Sequence, residues 1–140
     1  MAFTGNYTCD SYVAGLPKAD FDFGVGTTDV FKLALYTNAA TLDASTAVYT
    51  ATGEVVASGY TAGGILLTPT QAFSDGVAYT TFADVSWTAA VTTRGALIYK
   101  DGGSVAMFVL DFGSDKTSTT TLQVAFPTAS STTALIRLST

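Results

Sequence analysis

A chain of 140 residues, 48% of them hydrophobic, is long enough to bury one core; this excludes disorder and removes any need for a disulfide or metal staple. A net charge of −5 argues against free nucleic acid or an anionic membrane as partner, and one cysteine forbids an internal disulfide. Charged residues make up only 12% of the chain against the usual quarter or so, which leaves two readings of the surface: covered by another protein, or solvated by Ser and Thr hydroxyls.

Residues 1–28 read as an irregular lead-in, broken by Gly5, Gly15, Pro17, Gly24 and Gly26 and studded with Phe3, Tyr7, Tyr12, Phe21 and Phe23. Aromatic rings need a surface to lie against. The segment therefore either caps the chain's own core or reaches a neighbour as an arm, and its five rings are the candidate partner-contact residues. A single domain is expected over 29–140. In 30–36, Phe31, Leu33 and Leu35 alternate with Lys32, Ala34 and Tyr36, the period of a strand with an inner and an outer face. Residues 41–49 read instead as a short helix, with Thr41 as N-cap, Asp43 in the first turn, and Leu42 and Tyr49 sharing a face. Gly59, Gly63 and Gly64 bend the backbone ahead of a strand over 65–68.

Residues 77–88 alternate again, placing Val77, Tyr79, Ala83, Val85 and Trp87 on one face. Strands over 94–100 and 104–112 flank the turn Asp101-Gly102-Gly103 as a hairpin, and 105–110, apolar on both faces, reads as a central strand. Residues 117–126 turn Thr120, Leu122, Val124 and Phe126 inward, and 134–138 closes the chain. Seven or eight short strands separated by turns exclude βαβ units. They predict an all-β, antiparallel β-sandwich, jelly-roll-like, with one short helix. The expected core is Phe31, Leu33, Leu35, Val85, Trp87, Leu97, Phe108, Leu110, Leu122 and Val124. No apolar run approaches the roughly 20 residues that span a bilayer, and the start lacks the basic and apolar regions of a secretion signal.

Groups for chemistry are sparse. The chain has no histidine, one cysteine and one glutamate, so acid–base, nucleophilic and metal chemistry lack their usual side chains. Asp101, Asp111 and Asp115 sit in or beside turns, where Asp serves backbone hydrogen bonding. Asp20 and Asp22 flank Phe21, but no complete calcium loop surrounds them. Cys9 has no histidine to activate it and reads as a small packed thiol. Trp87 could stack on a sugar, yet it falls on the inward face of a strand. No catalytic residue, cofactor or metal is expected.

Four segments carry a resemblance: Asp29-Val-Phe-Lys-Leu-Ala-Leu-Tyr-Thr37; Ala39-Ala-Thr-Leu-Asp-Ala-Ser-Thr-Ala-Val-Tyr49; Gly53-Glu54 with Gly59-Tyr-Thr-Ala-Gly-Gly64; and Ala83-Asp-Val-Ser-Trp87 leading to Gly95-Ala-Leu-Ile-Tyr99. Together, over residues 29–113, they resemble small virion proteins of tailed bacteriophages, a group that includes capsid cement, or decoration, proteins such as the jelly-roll cement protein of Bordetella phages. The resemblance implies a non-enzymatic structural protein on the outer surface of the capsid, made in the host bacterial cytoplasm. It would bind the major capsid protein and hold neighbouring subunits against the pressure of packaged DNA. Exposed strand edges and the prevalence of two-fold symmetry favour a homodimer over a trimer. The alternative is a tail- or fibre-associated module that binds host-surface carbohydrate.

Overall fold

The structure, a computed structural model, describes residues 3–139. Met1, Ala2 and Thr140, which fall within the two segments drawn from the sequence, lie outside the described residues. Antiparallel strands dominate. They are β1 (Tyr7–Thr8), β2 (Phe31–Tyr36), β3 (Ile65–Leu67), β4 (Pro69–Ser74), β5 (Val77–Phe82), β6 (Val85–Trp87), β7 (Thr92–Lys100), β8 (Val105–Thr117), β9 (Leu122–Val124) and β10 (Ile136–Ser139). One layer is a five-stranded sheet in the order β1-β8-β7-β2-β3. The other is built from a three-stranded sheet, β10-β5-β4, and a two-stranded ribbon, β6-β9. Phe31, Leu33, Leu35 and Ile98 of the first layer share one buried cluster with Phe82, Val85 and Trp87 of the second. This is the expected all-β sandwich. The hairpin β7–β8 continues through 88–91 and 118–121 into β6 and β9, so one long ribbon runs from layer to layer in the manner of a jelly roll.

The hairpin and the alternation in β2 form where the sequence places them. Lys100 pairs with Val105 across the turn, and Phe31, Leu33 and Leu35 all point into the shared core. All ten expected core residues are buried or pack against the buried clusters. Leu97 does so on the opposite side of the sheet from the rest. Phe108 and Leu110 are only half-buried. Across from β7, Ile98 pairs with Phe108 and Tyr99 with Ala106, so Met107 is an extra residue in β8. Such a bulge changes the phase of the strand, and Met107 and Phe108 consequently face the same cluster.

Four expectations need correction. Residues 41–49 are not helical. Asp43 accepts hydrogen bonds from the backbone N–H and the hydroxyl of Ser45, at 2.8 and 2.6 Å, and its own N–H donates to Thr46 Oγ1 at 3.0 Å. Asp, Ser and Thr here satisfy the backbone locally in a turn, which competes with a helix. The short helix lies instead in the lead-in, as α1 (Asp10–Gly15), followed by one 3-10 turn over Leu16–Lys18. Residues 77–88 are two strands. The break at Ala83-Asp84 moves Phe82 into the core and leaves Ala83 exposed, because an odd step between the two runs reverses the face. Finally, 69–74, to which the sequence reading gave no element, is the edge strand β4, where proline is tolerated at the first position.

No described helix is long and apolar enough to cross a membrane.

Candidate functional site

The lead-in belongs to the fold. β1 pairs with β8, Cys9 N–H donates to the Met107 carbonyl at 2.8 Å, and Ser11 Oγ donates to the Ala106 carbonyl at 2.7 Å. Phe3 is buried against Gly95, where any side chain would collide with its ring. Tyr12 is buried between Phe21 and Phe108, with both ring centroids at 4.8 Å. Phe23 stacks on Phe31 at 4.7 Å and meets Phe82 edge-on. Tyr7, Phe21 and Phe23 keep part of their surface exposed. Of the two sequence readings, the structure realises the cap on the chain's own core. The irregular segment is in fact a strand, a helix and a 3-10 turn held in place.

The other face of β2 and β7 holds what the sequence reading missed. Ala34, Tyr36, Leu97 and Tyr99 are buried there beneath the connection from 37 to 64. At its centre is Glu54, the one glutamate, 7% exposed. Its Oε1 accepts from the Tyr60 hydroxyl at 2.6 Å and from the Gly63 N–H at 2.7 Å. Its Oε2 accepts from the Tyr49 hydroxyl at 2.6 Å. Tyr60 Oη in turn accepts the Leu35 N–H at 2.9 Å, tying the connection to β2. Tyr99 donates to the Gly63 carbonyl at 2.7 Å and stacks on Tyr49 at 4.9 Å, and Tyr36 donates to the Thr50 carbonyl at 2.6 Å. Every buried polar side-chain atom among the described residues has a partner.

Backbone conformation makes the knot possible. Gly63 and Gly64 have φ of +91° and +85°, and a Cβ on Gly64 would sit 1.9 Å from the Leu33 carbonyl oxygen. Only glycine lets this loop lie flat on β2 and turn both the N–H and the carbonyl of Gly63 into the knot.

The electrostatics follow from burial. Desolvation first, then the charge and hydrogen bond of Glu54, push the Tyr49 and Tyr60 hydroxyls well above the ordinary tyrosine range. Tyr36 is raised by burial and then by Glu54, and Tyr99 is pushed up to about 12 by burial, Asp101 and Glu54. Burial, with Asp10 and Asp43 nearby, raises the Cys9 thiol to about 11. Three hydrogen bonds, from two protonated hydroxyls and one amide, make Glu54 the tie between the connection and the sheet.

Of the aspartates singled out from sequence, Asp20, Asp22 and Asp101 line one open cleft together with Asp29 and Lys100, and Asp111 and Asp115 do not line it. Asp101 pairs with Lys32 at 2.9 Å and Asp111 with Arg94 at 3.0 Å, while Asp115 is exposed. Lys32, then the Gly102 N–H, lowers Asp101; the Gly113 N–H, then Arg94, lowers Asp111. Asp22 accepts the Gly24 N–H at 2.8 Å, a local turn, and Asp20 lies exposed beside it. Among the described residues, no three His, Cys, Asp or Glu side chains are grouped to hold a metal ion. Trp87 is 5% exposed and lies 6.2 Å from Tyr60, so its ring faces the core and offers no platform.

The chain matches no known family profile, no curated protein and no solved structure. The knot itself had a legible signal. A lone glutamate beside Gly53, with tyrosines five residues before and six after, is an odd charge in an otherwise uncharged stretch. Its partners Tyr36 and Tyr99, distant in sequence, come to it only through strand pairing.

Proposed function

We propose that this chain is a non-enzymatic structural virion protein that binds the outer surface of a tailed-phage head and cements neighbouring capsid subunits. The observation that carries this reading is spatial. The four segments that bear the resemblance supply Tyr36, Tyr49, Glu54, Tyr60, Gly63 and Tyr99, all members of one knot. A shared architecture would place its signature residues in such a unit. A low charge density and exposed apolar residues such as Val56, Leu66 and Phe73 suit a protein whose work is contact. Weak contacts repeated over a lattice add up to firm attachment without any turnover. The major capsid protein and further copies of this chain are the partners on this reading. Within it, Tyr7, Phe21 and Phe23, the partly exposed lead-in rings, remain available for contact, whereas Phe3 and Tyr12 are committed to the core. The tail-module alternative has less support, because Trp87, its best sugar platform, is buried.

Quantitative mass spectrometry of purified virions tests the proposal. A copy number that scales with the major capsid protein is expected. A number that scales with the tail proteins, or absence from the particle, would reject it.

A further inference from the structure

The open edges of the sandwich differ in how they are protected. Sheet edges in soluble proteins are blunted by shortness, charge, proline or bulges, because their free N–H and carbonyl groups otherwise recruit another strand. β1 has two residues, β3, β6 and β9 have three each, β10 has four with Arg137 among them, and the far end of β8, beyond its pairing with β1, carries Asp115 and Lys116. β4 has six residues, Pro69-Thr-Gln-Ala-Phe-Ser74, none charged, in unbroken register with β5. Its one blunting device, Pro69, stands at the very end. No described backbone group outside β5 bonds to it. Phe73 on this edge is 67% exposed.

The direction of its free groups can be read from the turn. Asp75 and Gly76 both have positive φ, +54° and +75°, so β4 and β5 are joined by a two-residue turn of the primed type. Ser74 and Val77 are then a hydrogen-bonded pair, and with them Ala72 with Tyr79 and Thr70 with Thr81. Gln71 and Phe73 therefore direct N–H and carbonyl away from the sheet. Pro69, in phase with them, directs a carbonyl outward and lacks the N–H that would have faced the same way.

We propose that β4 is a self-association edge, where a second copy of this chain adds its own β4 antiparallel across a two-fold axis at Ala72. In that register the Gln71 N–H meets the partner's Phe73 carbonyl, and the Phe73 N–H meets the partner's Gln71 carbonyl. Symmetry repeats the pair, so all four outward donors are used. Phe73 and its copy become diagonal neighbours on one face, within reach for aromatic side chains, which covers the exposed ring. Charge permits this occupant. β4 itself carries no charge; Asp75 lies opposite the partner's Pro69, and the two Asp75 residues sit at opposite ends of the paired strands. Two three-stranded sheets thus become one six-stranded sheet closed by two-fold symmetry. This inference does not rest on the virion reading, since solution state and particle composition are measured separately.

Analytical ultracentrifugation of the full chain is expected to give a dimer. Phe73→Lys sets two like charges side by side, and Gln71→Pro removes an outward N–H that β5 does not use. Each is expected to weaken self-association at least about tenfold while leaving the circular dichroism spectrum unchanged. Ala72→Cys places two thiols across the axis, at a spacing of about 4.5 Å between Cα atoms, and is expected to form an intermolecular disulfide on mild oxidation. Cys9 is fully buried and does not compete. Should Phe73→Lys fail to fold, the Ala72→Cys cross-link decides alone. A monomeric wild-type chain, or a dimer that Ala72→Cys does not cross-link, would overturn the proposal.

Discussion

Both faces of the five-stranded sheet are buried, but by different means. One packs Phe31, Leu33, Leu35 and Ile98 against a second layer of strands, with apolar contacts throughout. The other is covered by Phe3 and Cys9 of the lead-in and by the connection from 37 to 64, which bridges to the sheet only at single residues, Glu54 with Tyr36 and Val48 with Val105, and there a buried glutamate organises the cover through two tyrosine hydroxyls and an amide. Strands bring their own hydrogen bonding, so the first cover needs only apolar surface. An irregular segment carries unpaired backbone groups and must have partners built for it. Some are backbone groups of the sheet, as where the Val55 N–H donates to the Leu35 carbonyl and the Thr37 N–H to the Gly53 carbonyl, and Glu54 and the tyrosines supply others. The lesson is that a buried polar group can extend a ladder that is only one bridge long.

This comparison can be broken at several points, beginning with the largest effect. Gly64→Ala adds a Cβ onto the Leu33 carbonyl at a positive φ. It is expected to cost about 4–5 kcal/mol or to prevent folding, read by urea denaturation. Next, Glu54→Ala strands three donors in a buried place and is expected to cost about 3–4 kcal/mol. Leu33→Ala, at a fully buried site on the apolar face, is expected to cost about 3 kcal/mol through cavity formation. If Glu54→Ala proves near neutral while Leu33→Ala does not, the second face is held by apolar contact after all. Tyr49→Phe removes one hydroxyl from Glu54 and is expected to cost about 1–2 kcal/mol. Leu110→Ala, at a half-buried site, is expected at about 1–2 kcal/mol, less than Leu33→Ala.

The final expectation concerns alkaline pH. Tyr49, Tyr60 and Tyr99 have folded-state pKa values raised above the unfolded value of about 10. Their contribution is complete below that pH. It is lost as the pH rises from there through the folded-state values, because the unfolded chain releases these protons first. In a variant with Tyr7 and Tyr79, which are partly exposed outside the knot, replaced by phenylalanine, alkaline titration followed by tyrosinate absorbance and Trp87 fluorescence should show both signals changing in one transition. Tyrosinate appearing while Trp87 fluorescence is unchanged would mean that the cover of the second face opens by itself.

Much of the first face was legible in the chain. Alternation in β2 and the glycine turn between β7 and β8 are local patterns, and local patterns survive folding when tertiary contacts agree with them. The fold class followed from them. The failures are equally physical. Thr41 and Asp43 offered a helix start, but Asp43 closed a turn with Ser45 and Thr46 instead. The five lead-in rings were readable as core cap or as arm, and nothing local could choose, since their partners Gly95, Phe108, Phe31 and Phe82 lie far along the chain.

By itself, then, the amino-acid sequence determined an all-β sandwich, the inward face of β2, and the scarcity of groups suited to catalysis. These depend on composition and on a period of two, both of which are properties of the chain before it folds. Only the tertiary structure decided that the opposite face is buried too, that Glu54 is bound up rather than available, that the lead-in is core, and that β4 is the least protected edge. Each of these is set by which distant segments meet, and strand pairing, not local preference, determines that.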